Sequence, residues 1–186
     1  MPKGADSPIL ALLRRRDPRG FDRAYEAYAA RVHAFLRRLS GRADLADDLV
    51  QLTFLRLAER GPELRADSDL RAWLFTVARN AFLSERRGAA LNQEAPGPEA
   101  LASPAPDVEA RLLLGDVERA LSALRVEDRE LLLLVGVEGF EPAAVAAMLG
   151  IDAATLRKRL ERARARLLAE LDTPSSSRQT SRKAVP

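Results

Sequence analysis

Two groups of side chains in this sequence have types and spacings that could do chemistry. Asp47, Asp48 and Gln51 fall within the stretch ADDLVQ. A pair of carboxylates could exchange protons as general acid and general base. On a helix, however, adjacent residues diverge by about 100°, and no third catalytic group stands nearby. Asp47 and Gln51 (i, i+4) and Asp48 and Gln51 (i, i+3) instead share an outer helical face. That pattern fits a solvated or protein-docking surface better than catalysis. The second group is Arg157, Lys158, Glu161 and Arg162, within LRKRLERAR. At about 100° per residue these four span an arc of roughly 140°. Leu156, Leu160, Ala163, Leu167 and Leu171 occupy an opposite arc of roughly 80°. One side of this helix packs, and the other offers mainly cation to solvent or to phosphate.

The elements around the cationic group are those of a helix-turn-helix. Pro142 suits the first position of a helix, where a missing N–H costs nothing. Val145, Ala146 and Leu149 then share one face. Gly150 stands where the chain must turn and supplies positive φ without strain. Asp152 suits the N-cap of the second helix. The small Ala146, four residues before Gly150, lets the two helices approach closely. Such a second helix enters the DNA major groove. Glu161 has two readings there: it accepts from a cytosine amino group, or it pairs with Arg157 or Lys158. The pairing is the favoured one.

Composition bounds the rest. The 186 residues suffice for one large domain or two small ones. With 31% charged and 47% hydrophobic residues the chain is of globular type, and its net charge is +3. Local arginine clusters admit an anionic partner. The sequence has no cysteine, which excludes disulfides and thiolate metal sites. The one histidine, His33, lies beside an apolar stripe and reads as a surface or boundary residue. No metal, cofactor or catalytic constellation is expected, and an enzyme is not supported. No apolar run approaches the roughly 20 residues that span a bilayer, and the first residues do not begin a signal peptide. Membrane insertion is not expected, and a cytoplasmic location follows by default.

Taken in order, the chain predicts helices throughout. Pro8 to Arg16 could form a short one. From Phe21 to Leu39, the residues Phe21, Tyr25, Tyr28, Val32, Phe35, Leu36 and Leu39 recur at three- and four-residue steps. Gly41 ends that helix, and Asp44 is the expected cap of the next, which runs to Arg60. Leu45, Leu49, Leu52 and Leu55 or Leu57 are expected inside it. After the polar loop Gly61 to Asp69, Asp67 or Ser68 is the expected cap of a helix from Leu70 to Arg87. Leu70, Trp73, Leu74, Val77, Ala81 and Phe82 form its expected stripe. Arg71, Arg79, Asn80, Arg86 and Arg87 form a mainly basic face. Residues 88–106, rich in Ala, Pro and Gly, read as a flexible linker. Asp107 would cap a helix to Leu124, with Val108, Leu112, Val117, Ala120, Leu121 and Leu124 inward. The run Leu131 to Val135 could be a buried strand, but an all-helical context favours helix. Thr173 to Pro186 reads as a disordered tail. The fold class is therefore all-α: two small helical domains, 9–87 and 107–172, the second ending in the helix-turn-helix.

This arrangement resembles a bacterial RNA polymerase sigma factor of the extracytoplasmic-function (ECF) class, in the sigma-70 family. The resemblance covers about residues 9–172. Ala46–Gln51 (ADDLVQ) resembles the family's core-polymerase docking motif, and Ala72–Asn80 (AWLFTVARN) its promoter-melting segment. LSALRVEDRELLLL leads into VEGF and the helix-turn-helix in family order. The sequence departs from the family's pattern at Leu52, Thr76, Val135, Ala143 and Ala144. The resemblance implies a sigma factor that directs promoter recognition and transcription initiation. Asp48 and Gln51, with Asp47, would dock on the clamp of the polymerase β′ subunit, and the second domain on the β flap. The loop Glu59 to Asp69 would hold a base flipped from the minus-10 element. Asn80, Arg79 and Trp73 would contact that element. Thr155, Arg157, Lys158, Glu161 and Arg162 would face the minus-35 element. An anti-sigma protein is a further implied partner. The alternatives are a sigma mimic that titrates an anti-sigma protein and a stand-alone helix-turn-helix regulator.

Overall fold

Asp17 and Pro18 show how local chemistry sets the helix boundaries. Asp17 has extended backbone and accepts a hydrogen bond from the Arg19 N–H at 3.0 Å. Pro18 follows at the first helical position, where no donor is lost. The Arg19 guanidinium also grips the Asp17 carboxylate, at 2.6 Å, and holds its pKa down at about 2. The helix so started, α2, spans Pro18–Ser40 and stops at Gly41, whose φ of 74° glycine adopts without strain. A short α1, Ser7–Arg14, precedes it.

The computed structural model describes residues 6–91 and 108–173, with side chains described for 6–89 and 115–173. The chain divides into two units, Met1–Glu99 and Ala100–Pro186. The described residues form helices and turns, and no strand.

In the first unit α3 spans Ala43–Arg60, a single 3₁₀ turn follows at Gly61–Glu63, and α4 spans Leu70–Leu91. Two expected caps are corrected. Asp44 lies inside the first turn of α3, gripped by the Arg42 guanidinium, and Arg42 occupies the cap position. An acid in that turn still favours the positive end of the helix. At α4 neither Asp67 nor Ser68 caps. Asp67 pairs with Arg65, while Asp69, directly before the first helical residue, accepts from the Ala72 N–H at 2.8 Å. Gly88 to Leu91, read as linker, continue α4. Residues 92–106 of that linker, and Asp107, lie outside the described residues.

Helices α2, α3 and α4 pack on one another, with α1 against α2. Val32, Phe35, Leu36 and Leu39 meet Ala46, Leu49, Phe54 and Leu57, and then Leu70, Leu74, Phe75 and Ala78. The Phe35 and Phe75 rings sit 5.3 Å apart at a 59° tilt. Such a pair contributes roughly 1 kcal/mol beyond its burial. Three stripes differ from expectation. Leu52 and Leu55 are exposed, the latter at 56%, and Ala46, Val50 and Thr53 are buried in their place. Tyr25 is 48% exposed, although its ring meets that of Phe54 at 4.8 Å. In α4, Phe75 and Ala78 are buried while Trp73, Val77 and Ala81 are half-buried. Helix α4 packs against both α2 and α3, so its inner arc is set by two partners and centres near Ala78.

The second unit holds α5 (Val108–Ala123), α6 (Val126–Leu132), a π turn at Leu133–Val137, α7 (Pro142–Leu149) and α8 (Ala153–Asp172). The run Leu131 to Val135 is helical, as favoured. Helix α8 packs against α5, α6 and α7. Leu121, Leu124, Leu131, Leu133, Leu134, Phe140, Val145, Leu156 and Leu160 build the core. Val117 faces solvent rather than the core, and the side chains of Val108 and Leu112 lie outside the described residues. So does the tail after Thr173.

Gly20 lets α1 and α2 touch. A Cβ built there would lie 2.7 Å from the Leu13 nitrogen and 2.9 Å from the Leu12 Cβ. The obstruction is backbone, so α1 must move. Gly20→Ala is expected to destabilise the first unit by about 1–3 kcal/mol in denaturant unfolding; an unchanged midpoint would show that α1 is loosely held.

Candidate DNA-binding and polymerase-docking surfaces

The helix-turn-helix is α7, a three-residue turn and α8. Gly150 sits at φ 65°, ψ 33°, and the Ile151 N–H bonds the Ala146 carbonyl at 3.0 Å. Nothing lies within 4 Å of a Cβ built at Gly150. Glycine serves the backbone angle here, not a close approach. Asp152 accepts the Thr155 N–H at 2.8 Å and the Thr155 hydroxyl at 2.5 Å. The Thr155 hydrogen bonds lower the carboxyl's pKa. Leu156, Leu160 and Ala163 are buried, and Leu167 and Leu171 are half-buried.

Arg157, Lys158, Glu161 and Arg162 are all exposed, while Thr155 is half-buried within the cap. Arg159 and Arg164 are exposed as well, widening the basic surface beyond the residues singled out. The favoured pairing of Glu161 is corrected: among the described residues it forms no ion pair with Arg157 or Lys158. Exposed ion pairs gain little in water and cost side-chain entropy.

Behind α8 lies a polar cluster that sequence reasoning missed. Arg129 is buried and donates to three carbonyls at the end of α5: Leu121 at 2.8 Å, Ser122 at 2.6 Å and Leu124 at 3.1 Å. Helix ends leave such carbonyls without intrahelical partners. The buried Asp128 pairs with Arg166 of α8 and with Arg125 at 3.5 Å. No local signal in VEDRELL marks its charges as buried.

In the first unit Asp47, Asp48 and Gln51 are exposed along α3, with Leu52 beside them. Asp47 has a partner on α2: its Oδ1 lies 3.0 Å from His33 Nε2. On α4, Trp73 and Asn80 stand seven residues apart and so share a face. Trp73 is half-buried and Asn80 exposed. Arg79 points off that face but donates to the Asn80 Oδ1 at 3.3 Å. Among the described residues no cluster of His, Asp and Glu could hold a metal ion, and no helix is long and apolar enough to cross a membrane.

Two family models match the chain: Sigma-70 region 2 at residues 24–91 and Sigma-70, region 4 at residues 114–167. The first covers α3, α4 and most of α2; the second covers α6, α7 and α8 as far as residue 167. The ECF RNA polymerase sigma factor EcfG of Rhodopseudomonas palustris is 39% identical over 143 residues, covering 75% of this chain and 78% of its own. SigM of Mycobacterium tuberculosis, also an ECF sigma factor, is 31% identical over 165 residues, covering 88% and 83%. Among solved structures, the sigma factor RpoE in complex with the anti-sigma factor NepR from Bartonella quintana is similar at a TM-score of 0.73. It is 31% identical, over 83% of this chain and 98% of that one. CnrH in complex with the cytosolic domain of CnrY is similar at 0.71, with 26% identity over 92% and 99%. The chain belongs to the ECF RNA polymerase sigma factors, within the sigma-70 family. It is an alternative sigma factor that directs transcription initiation.

Two outcomes follow from the second unit. Arg129→Met should destabilise it by about 2–4 kcal/mol, since three carbonyls lose their charged donor; thermal melting of the full chain measures this. Asp152 has a lowered pKa when folded, so its contribution is present above the ordinary carboxylate value and is lost as pH falls through the folded one. Asp152→Asn still caps but does not titrate. Its melting temperature should therefore fall less than the wild type's as pH drops below about 4.

Proposed function

We propose that the two units divide the work of a sigma factor between docking with strand opening and duplex reading. The observation that carries this is the two-sided α8: Leu156, Leu160 and Ala163 are buried, while Arg157, Lys158, Glu161 and Arg162 are exposed. The outer side is free to enter a major groove, where each base pair presents its own donor and acceptor pattern. This unit, residues 107–172, reads the minus-35 element and rests on the β flap of core RNA polymerase. Glu161, unpaired with its helix neighbours, is available to a cytosine amino group.

The first unit docks on the β′ clamp through Asp48 and Gln51, with Asp47 oriented by His33. It contacts the minus-10 element through Asn80, Arg79 and Trp73. Unstacking a base costs a few kcal/mol, so a partner must hold this unit on DNA. The chain performs no covalent step; the polymerase makes the RNA. An anti-sigma protein is a further partner, by analogy with the complex of RpoE with NepR.

Run-off transcription with core polymerase tests the reading. Asp48→Arg with Gln51→Ala should abolish core binding and leave the melting temperature nearly unchanged, because both residues are exposed. An equal loss of stability would mean that the face is structural. Arg157→Ala should cost about 1–3 kcal/mol on the preferred minus-35 sequence and little on a scrambled one. Arg162→Ala should weaken both sequences alike and flatten the salt slope by about one. If both variants bind promoter like the wild type at every salt, α8 is not the reader.

A further inference from the structure

The seam where α2 runs beside α3 carries an apolar surface that the roles above leave unused. Six large hydrophobic side chains are exposed among the described residues, and three of them, Tyr25, Leu52 and Leu55, lie on these two helices. A single exposed leucine needs no explanation, but neighbouring ones mark a contact surface.

Two pairings place these side chains. Tyr25 of α2 meets Phe54 of α3, with ring centroids 4.8 Å apart, and His33 of α2 meets Asp47 of α3 at 3.0 Å. The two helices therefore run antiparallel and side by side from Tyr25 to His33. On α3, at about 100° per residue, Asp48, Gln51, Leu52 and Leu55 fall within an arc of roughly 100°, with Leu55 in its middle. The buried Ala46, Leu49, Val50, Thr53 and Leu57 lie on the opposite side. Leu55 thus continues the face that bears Asp48 and Gln51, one turn further along, and Tyr25 flanks it from α2.

Tyr25 is held in place although it is exposed. Its ring stacks on Phe21, with centroids 6.2 Å apart at 23°, and meets Phe54 at 63°. Phe21 and Phe54 in turn meet edge to face at 6.1 Å. Three rings packed on one another fix this side chain before a partner arrives, so little rotamer freedom remains to be lost on binding. A fixed aromatic and exposed leucines, bordered by two acids and an amide, have the composition of an interface core with its polar rim.

We propose that Tyr25 and Leu55 are the apolar anchor with which this chain binds core RNA polymerase, with Leu52 at its edge and Asp47, Asp48 and Gln51 as its rim. The occupant follows from continuity: a body seated on Asp48 and Gln51 also covers Leu55 on the same helix face. The polymerase element must then present an apolar patch beside the groups that meet the acids. Desolvated apolar contacts set the lifetime of a complex, while rim charges steer its approach and fix its register. The proposal rests on the docking reading above and extends it from three polar residues of α3 to an apolar centre shared with α2.

The test measures binding of the full chain to core polymerase across a salt series, with association and dissociation rates. Leu55→Asn changes an exposed residue, so the melting temperature should hold. Its affinity should fall about ten-fold, by the same factor at every salt and through faster dissociation. Leu55→Met should restore it. Asp48→Asn should differ: its loss should lie in association and shrink as salt rises. Tyr25→Gln should weaken binding at least as much as Leu55→Asn. Where Tyr25→Gln also loosens Phe21 and Phe54, the Leu55 variants decide.

Wild-type affinity in Leu55→Asn at every salt would overturn the proposal. So would a loss that vanishes at high salt, which would make the face electrostatic alone, or a matching fall in melting temperature, which would make Leu55 structural. Sedimentation of the free chain covers another occupant. A wild-type dimer that Leu55→Asn dissociates, with core affinity unchanged, would assign the patch to a second copy and also overturn the proposal. If Asp48→Arg with Gln51→Ala leaves core binding intact, the docking reading itself fails, and the rim with it.

Discussion

Each charged helix of this protein is held by a narrow apolar stripe, and that constraint shapes the rest. Helix α8 is the clearest case: Leu156, Leu160 and Ala163 are buried against α5, α6 and α7 while its cations stay in water. A guanidinium buried without partners would be costly. The helix therefore cannot roll about its axis without drowning charge or exposing leucine. That restriction, rather than any contact to DNA, presents Arg157 and Arg162 outward before a partner arrives.

Buried charge appears where a helix end needs it. Arg129 replaces the missing donors at the end of α5, and Asp128 ties α6 to Arg166 of α8. This cluster sits directly behind α8. It joins the elements that orient α8 through directional bonds, which resist sliding in a way that leucine contacts do not. On the other unit, the His33–Asp47 bond plays a smaller part, fixing one carboxylate of an otherwise solvated face.

The departures from the sequence reading share one origin. The caps at α3 and α4 stand one or two residues from the expected positions, because more than one residue near each start could serve. Only the backbone angle at Arg42 and the reach of Asp69 decide between them. Glu161 and its neighbours had pairing geometry on a helix, yet solvent removes the reason to pair.

The sequence by itself determined the all-α class, the helix-turn-helix and the family. Pro142, Gly150 and Asp152 act through local backbone chemistry, which depends on no distant residue. The segments Ala46–Gln51 and Ala72–Asn80, which lie within the region 2 match, were legible as motifs from their local sequence. Tertiary structure alone decided which arc of α4 is core, that Leu52 and Leu55 face water, and that Arg129 is buried. Those outcomes depend on which helix packs against which face. A periodic pattern states that a face will be buried, but the partner's position sets its centre.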